Sequence, residues 1–266
     1  MSAFVPGAPR LKPRLVNGGP VGAAWFILGS ETLVEVACRH DPDAIAIDMQ
    51  HGLFDRRSLE AAVTASTAPV LVRTRDAQDA SIGEALDAGA EGVIVPLIET
   101  ADAARSVASA CRYPPAGHRS GGGIRPLADF SAHARKANDG IVAGVMIETR
   151  KGVEAAIEIA KSGVDFVFIG TGDLALSLGA APGTKTHDAA CAKVLAAATE
   201  AKIPCGIFTM TPEAAIARTR EGFALTVASN DLSAFEDSTR AALSLHRAGA
   251  KPRRRRKRAP LQGDRA

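Results

Sequence analysis

Short apolar runs rich in β-branched residues recur along this chain, at 22–28, 44–48, 70–73, 92–96, 142–148, 166–170, 203–208 and 225–229. They show little polar/apolar alternation, as expected for strands buried on both faces. Most are separated by Ala-rich stretches whose apolar positions recur every three or four residues, at 57–66, 77–88, 100–111, 153–161, 189–201 and 212–221. Strand and amphipathic helix in alternation is the signature of parallel βα units. Eight such units in about 230 residues predict an α/β chain closed into a single-domain (β/α)8 TIM barrel rather than an open sheet. The boundaries read from the pattern are an N-terminal extension at 1–20, a barrel at 21–248 and a tail at 249–266.

One connection departs from the rhythm. Between 112 and 140 the chain carries Pro114, Pro115, Gly117 and three consecutive glycines, Gly121 to Gly123, and long connections in compact domains are usually functional or disordered. It follows the fourth helix, which delivers the chain to the bottom of the barrel unless the segment folds back. The three glycines lack the strand and the Lys-Ser/Thr pair of a phosphate-binding loop, so loop flexibility explains them better.

The 266 residues, 46% hydrophobic, suffice for one large core. The formal charge of +3 misleads: from Lys251 onward eight Lys/Arg face one Asp, a surplus of seven, so the first 250 residues carry −4. The barrel itself therefore lacks the basic balance of a nucleic-acid-binding domain. Any such idea is confined to the tail, where Arg253 to Arg258 run unbroken and the lost apolar periodicity predicts a disordered appendage. The four cysteines (Cys38, Cys111, Cys191 and Cys205) lie far apart with no CxxC pair, which points to a reducing cytoplasm. The Pro/Gly-rich start has no signal-peptide apolar region, and nowhere do 18 apolar residues run together as a membrane helix needs.

In a parallel barrel the carboxyl ends of the strands converge on one face, so polar groups ending apolar runs are the first candidates for chemistry. Run 44–48 ends in Asp48, with His51 three residues on; 70–73 ends in Arg73; 142–148 ends in Glu148; and 166–170 ends in Gly170, followed by Thr171, Gly172 and Asp173. Each alone reads more readily as a cap or surface ion pair, but the series at successive strand ends does not. Glu148 and Asp173 are hard oxygen ligands from adjacent strands, suited to Mg or Mn with positions left for water and a bidentate substrate, although Asp173 would also serve to cap the next helix. Asp48 and His51 suggest a carboxylate orienting an imidazole for proton transfer. Arg73 offers a planar, permanently charged donor to a carboxylate or oxyanion. Trp25, the sole tryptophan, ends or lines the first strand as core or pocket wall. No predicted strand ends in Lys, the nearest being Lys151 in the next helix, which disfavours a Schiff-base route.

In order along the chain, IDMQH (47–51), RYPPAGHR (112–119), MIET (146–149) and GTGDLALSLG (170–179) resemble the HpcH/HpaI family of class II pyruvate aldolases, over roughly residues 20–245. The resemblance implies a usually hexameric (β/α)8 barrel with active sites near subunit contacts. It places a divalent cation (Mg, Mn or Co) on Glu148 and Asp173, and makes Asp48, His51 and Arg73 catalytic. The substrate would meet Arg73, Gly170, Thr171, Gly172 and Trp25. The implied reaction cleaves or forms 4-hydroxy-2-oxo acids, of the 2-keto-3-deoxy sugar acid or 4-hydroxy-2-oxo-dicarboxylate type. His51 takes the 4-hydroxyl proton, the C3–C4 bond breaks, an aldehyde departs, and the pyruvate enolate is neutralised by the cation and Arg73.

There are departures from the family pattern. Thr171-Gly172 stands where many members carry Pro after the Gly, Met146 where several aldolases have Gln, and Gln50 where a Glu commonly precedes the His. None removes a ligand or the base, and all bear on which substrate fits. The alternatives are a CoA-ester lyase of the same family (citrate lyase beta or malyl-CoA lyase-like), and a non-catalytic barrel binding a ligand or, through the tail, nucleic acid. The intact carboxylate pair opposes the silent barrel, and the tail has no interleaved aromatics for base stacking.

Overall fold

The computed structural model describes residues 10–17 and 19–250. Eight strands, β1 (Val21–Phe26), β2 (Ala44–Asp48), β3 (Val70–Arg73), β4 (Gly92–Val95), β5 (Val142–Ile147), β6 (Phe166–Ile169), β7 (Cys205–Ile207) and β8 (Leu225–Asn230), pair in chain order, and β8 closes in parallel on β1. Each falls on a run that the hydrophobic pattern marks. The largest trimming is at β7, where Ile203 and Pro204 precede the strand, the Pro204 carbonyl accepting the Val167 N–H of β6 at 3.2 Å. All residues of β2, β4, β5, β6 and β7 are buried, which explains why no alternation is legible in them.

Two apolar layers result. One lies between the strands and the surrounding helices; the other fills the barrel, with Trp25, Leu71, Ile94, Met146, Phe166 and Phe168 at its centre. Burying a side chain of this size contributes roughly 1.5–3 kcal/mol. The rings fit because β7 has no side chain at Gly206, where a Cβ would come within 2.6 Å of Phe166 and 2.8 Å of Phe168.

Of the segment before residue 20, the described residues 10–17 pack against the barrel. Helix Leu11–Val16 stands beneath the barrel with Leu11 and Leu15, one turn apart on one face, packed into the barrel's own interior cluster. Lys12 fixes it to Asp165 at 2.9 Å, and the Leu11 N–H donates to Glu91 at 2.9 Å.

The 112–140 segment also lies at this end and holds helices Ile124–Leu127 and Phe130–Gly140. Arg112 pairs with Asp165, just before β6, at 2.9 Å. The Tyr113 backbone exchanges hydrogen bonds of 2.8 and 3.1 Å with the Asn138 amide. The buried Arg119 donates to Asp87 at 2.9 Å and lies 4.7 Å above the Tyr113 ring. The RYPPAGHR motif is thus a clasp on the bottom face, away from the strand ends. The glycines that follow it take part in local packing: Gly121 abuts the Phe130 ring and Gly123, at φ +85°, opens the short helix.

After β8 comes helix Asp231–Gly249, 19 residues of which none is buried. The basic run Arg253 to Arg258 lies outside the described residues. Among the described residues no helix is long and apolar enough to cross a membrane, and the four cysteines are buried and free.

Candidate active site

The ends of β2, β3, β5 and β6 bring four charged side chains onto the carboxyl face. Asp48 and Arg73 are register partners on adjacent strands, and their side chains pair. Arg73 Nε donates to Asp48 Oδ1 at 2.9 Å and Nη2 makes a short bond to Oδ2. Oδ1 also accepts the backbone N–H groups of Gln50 (3.0 Å) and His51 (3.2 Å). Asp48 is 1% exposed, and an ionised carboxylate so deep is tolerated only when paired and hydrogen-bonded, as here.

This corrects the expected Asp48–His51 dyad. Both Asp48 oxygens are taken by Arg73 and by backbone groups, and the His51 imidazole stands exposed on the turn above. Asp48 orients Arg73 and the backbone that carries His51, not the His51 ring. Trp25 is also corrected as a substrate contact. It is 1% exposed, stacks on Phe168 at 5.7 Å, meets Phe208 edge-on at 5.3 Å and carries the Arg73 guanidinium 5.4 Å above its ring. It forms the floor beneath Arg73, and the cation–π contact favours the charged guanidinium at that position.

Glu148 follows the last residue of β5 and is 1% exposed. Its Oε1 accepts the Leu97 N–H at 2.8 Å, while Oε2 is buried with no hydrogen-bond partner. Leu97 presents that N–H from a left-handed backbone, φ +57°, a conformation that disfavours side chains with a Cβ and persists where surroundings over-determine it. Across β6, a Cβ on Gly170 would lie 2.3 Å from Glu148 Oε2, so only glycine leaves room for this carboxylate. Gly170, not Asp173, is the N-cap of helix Thr171–Leu178, and no side chain caps it. Asp173 sits in that helix's first turn, half-buried, with its carboxylate against Glu148. Burial foremost, with the Asp173 charge added, pushes the Glu148 carboxyl up to about 7.

Two crowded carboxylates, one with a buried bare oxygen, are an electrostatic misfit that a divalent cation removes. The pair therefore fits the expected metal: hard oxygen donors from two elements, with coordination left for substrate. Among the described residues no third His, Cys, Asp or Glu joins them into a closed cage. Of the remaining expected residues, Thr171 ties its hydroxyl to the Phe208 carbonyl (3.3 Å) and accepts from His187 Nε2 (3.2 Å) through its own carbonyl, while Gly172 is open to solvent. Lys151 lies in helix Arg150–Glu154, paired with Glu99 at 3.2 Å.

Leu97 and His187 escaped the sequence reading. Leu97 acts through its backbone, and leucine is no signal for a left-handed residue. His187 is a lone histidine on a helix, distinguishable from core only by its partner.

The chain is similar in sequence and fold to known proteins. Residues 23–235 match the family model described as HpcH/HpaI aldolase/citrate lyase. A hydroxypyruvate/pyruvate aldolase of Rhizorhabdus wittichii is 36% identical over 241 residues, covering 87% of this chain and 96% of that protein. A 4-hydroxy-2-oxovalerate aldolase of Rhodococcus jostii is 36% identical over 66% of this chain and 70% of its own. The crystal structure of an HpcH/HpaI aldolase/citrate lyase family protein from Burkholderia cenocepacia superposes with a TM-score of 0.84 at 30% identity, covering 90% of this chain and 99% of that one.

Proposed function

Because this chain belongs to the HpcH/HpaI aldolase/citrate lyase family and is a carbon–carbon lyase of the aldolase class, we propose that it cleaves and forms 4-hydroxy-2-oxo acids, with pyruvate as the common fragment and Mg, Mn or Co held by Glu148 and Asp173. The observation that carries this reading is the buried, unpartnered Glu148 Oε2 facing the Gly170 gap beside Asp173. When bound, the cation supplies Lewis-acid stabilisation of the negative charge that grows on the 2-oxo oxygen as C3–C4 breaks.

The protein's own residues do the rest. Arg73 has Nε and Nη2 committed to Asp48, which leaves Nη1 to donate to the substrate carboxylate or the enolate oxygen. Because Asp48 neutralises it, Arg73 acts as an aimed N–H in a preorganised pair rather than as a bare charge. His51, one turn above and exposed, takes the 4-hydroxyl proton in cleavage and returns it in condensation. The Thr171 and Gly172 peptides line the path to Asp173, and Thr171 is fixed by Phe208. The relatives, a hydroxypyruvate/pyruvate aldolase and a 4-hydroxy-2-oxovalerate aldolase, support a short 2-oxo acid paired with a small aldehyde.

We further place the enzyme in the cytoplasm as a homo-oligomer, a hexamer by family resemblance. The four free cysteines support the compartment. Helix Asp231–Gly249, which buries none of its 19 residues and leaves Phe235 68% and Leu245 77% exposed, is the element we assign to assembly. The test of function is pyruvate and aldehyde release from a panel of 4-hydroxy-2-oxo acids, with oxaloacetate decarboxylation as the enolate-only control. Release of pyruvate from several members is expected; trapping of a pyruvate adduct on the protein by borohydride would overturn the reading in favour of a lysine aldolase.

A further inference from the structure

We propose that His187 is a positioning residue which holds the Gly170–Asp173 turn from behind and so sets the Asp173 carboxylate for the cation; this rests on the cation reading above. His187 comes from a different element, the first turn of helix Lys185–Ala201, and is 1% exposed. Its Nε2 lies 3.2 Å from the Thr171 carbonyl oxygen. A carbonyl can only accept, so Nε2 carries the proton and Nδ1 of the neutral ring is left as acceptor. One helical turn on, Cys191 Sγ sits 3.7 Å from Nδ1. Burial pushes that thiol up to about 11, so it keeps its proton and donates. The Asp188 carboxylate is 3.9 Å from Nδ1 but is engaged by Arg218. The resulting chain, Cys191 S–H to His187 to the Thr171 carbonyl, fixes ring and tautomer together.

The turn needs such a brace. It contains two glycines, of which Gly170 is dictated by the approach of Glu148 Oε2 and Gly172 has nothing within 4 Å of a built Cβ, so the backbone between them is stiffened from outside. Thr171 is tied at both ends, by its hydroxyl to Phe208 and by its carbonyl to His187, and Leu174 anchors the next residue in the core. Asp173 hangs between these fixed points. A leucine would fill the His187 site at less desolvation cost, whereas only a donor reaches Thr171. Direct hydrogen-bonding partners of metal ligands typically alter metal affinity 10- to 100-fold when removed; His187 acts one step further out, through the Thr171 peptide, so the lower end of that range applies.

The experiment compares wild type, His187→Leu and His187→Gln by calorimetric titration with Mn2+ in the absence of substrate, with thermal unfolding of the cation-free proteins to establish that each is folded. The Leu variant should bind Mn2+ roughly 10-fold more weakly, the lower end of the range for groups that support a metal ligand. The Gln variant, whose amide nitrogen occupies the place of Nε2, should return towards wild-type affinity and bind Mn2+ clearly more tightly than the Leu variant. If His187→Leu does not fold, His187→Asn takes its place, since its amide is too short to reach the carbonyl and should bind as weakly as predicted for Leu. Wild-type affinity in folded His187→Leu or His187→Asn would overturn the proposal, as would a folded Gln variant no better than these. Failure of the wild type itself to bind Mn2+ would overturn the cation reading and this one with it, a result distinct from either.

Discussion

Replacing Glu148 by Gln should make the cation-free protein more stable at alkaline pH, and the size of the gain follows from the burial of this side chain. Its carboxyl is raised from an ordinary 4.5 to about 7, first by desolvation and then by Asp173. A raised carboxyl pKa means that the fold binds the proton more tightly than the unfolded chain does. Stability from this group is therefore present at low pH and declines as pH rises from about 4.5 to about 7. At 1.36 kcal/mol per unit, the loss above that window is about 3 kcal/mol. Glutamine is neutral throughout and its carbonyl still accepts the Leu97 N–H, so the variant escapes the loss. In a chain of this size that difference corresponds to a Tm roughly 6 to 12 °C higher than wild type at pH 8, shrinking towards nothing at pH 4.5. The assay is thermal unfolding followed by circular dichroism in EDTA across this range; the contributions of titrating groups distant from Glu148 cancel in the difference, and that of Asp173, which Glu148 faces, is part of the effect. Saturating Mn2+ should close the gap by stabilising wild type alone. Parallel pH profiles for the two proteins would refute the reasoning, because Glu148 would then be ionised in the fold without penalty.

Three further outcomes are expected. Gly170→Ala puts a Cβ 2.3 Å from Glu148 Oε2, so the carboxylate must move and the thermal stabilisation by Mn2+ should largely disappear while the barrel stays folded by circular dichroism. His51→Ala should lower kcat for aldol cleavage by roughly 10²- to 10⁴-fold, with Mn2+ affinity and oxaloacetate decarboxylation little changed; equal losses in both reactions would remove His51 from the proton transfer. Arg73→Lys breaks the two-pronged bond to the buried Asp48 and should slow both reactions by about 2 to 4 kcal/mol of transition-state stabilisation. Untouched decarboxylation in that variant would move Arg73 from the enolate to the aldehyde side.

The barrel was legible because both of its signals are local. Runs such as 44–48 and 166–170 declare a fully buried strand, and in a parallel barrel their last residues must share a face, which brings Asp48, Arg73, Glu148 and Asp173 together without knowledge of any contact. What was misread depends on pairing between distant residues. Asp48 was matched to His51, three positions away, because sequence shows near neighbours; the register instead sets it beside Arg73. Trp25 offered two faces until Arg73 was found lying on it. The 112–140 segment read as a loop because its order comes from bonds to Asp87 and Asp165, and Leu11–Val16 read as an extension because two leucines and a Pro13 do not reveal the barrel floor they fill.

The central claim, that a divalent cation on Glu148 and Asp173 is required for aldol cleavage, is tested most directly by pyruvate release from a cleaved 4-hydroxy-2-oxo acid after stripping with EDTA and titrating back Mg, Mn or Co. In wild type, activity should vanish on stripping and return with saturation at one cation per chain, and Glu148→Ala should show neither cation binding nor turnover at any concentration. Full turnover in the stripped wild type, or restored turnover in Glu148→Ala, would contradict the account.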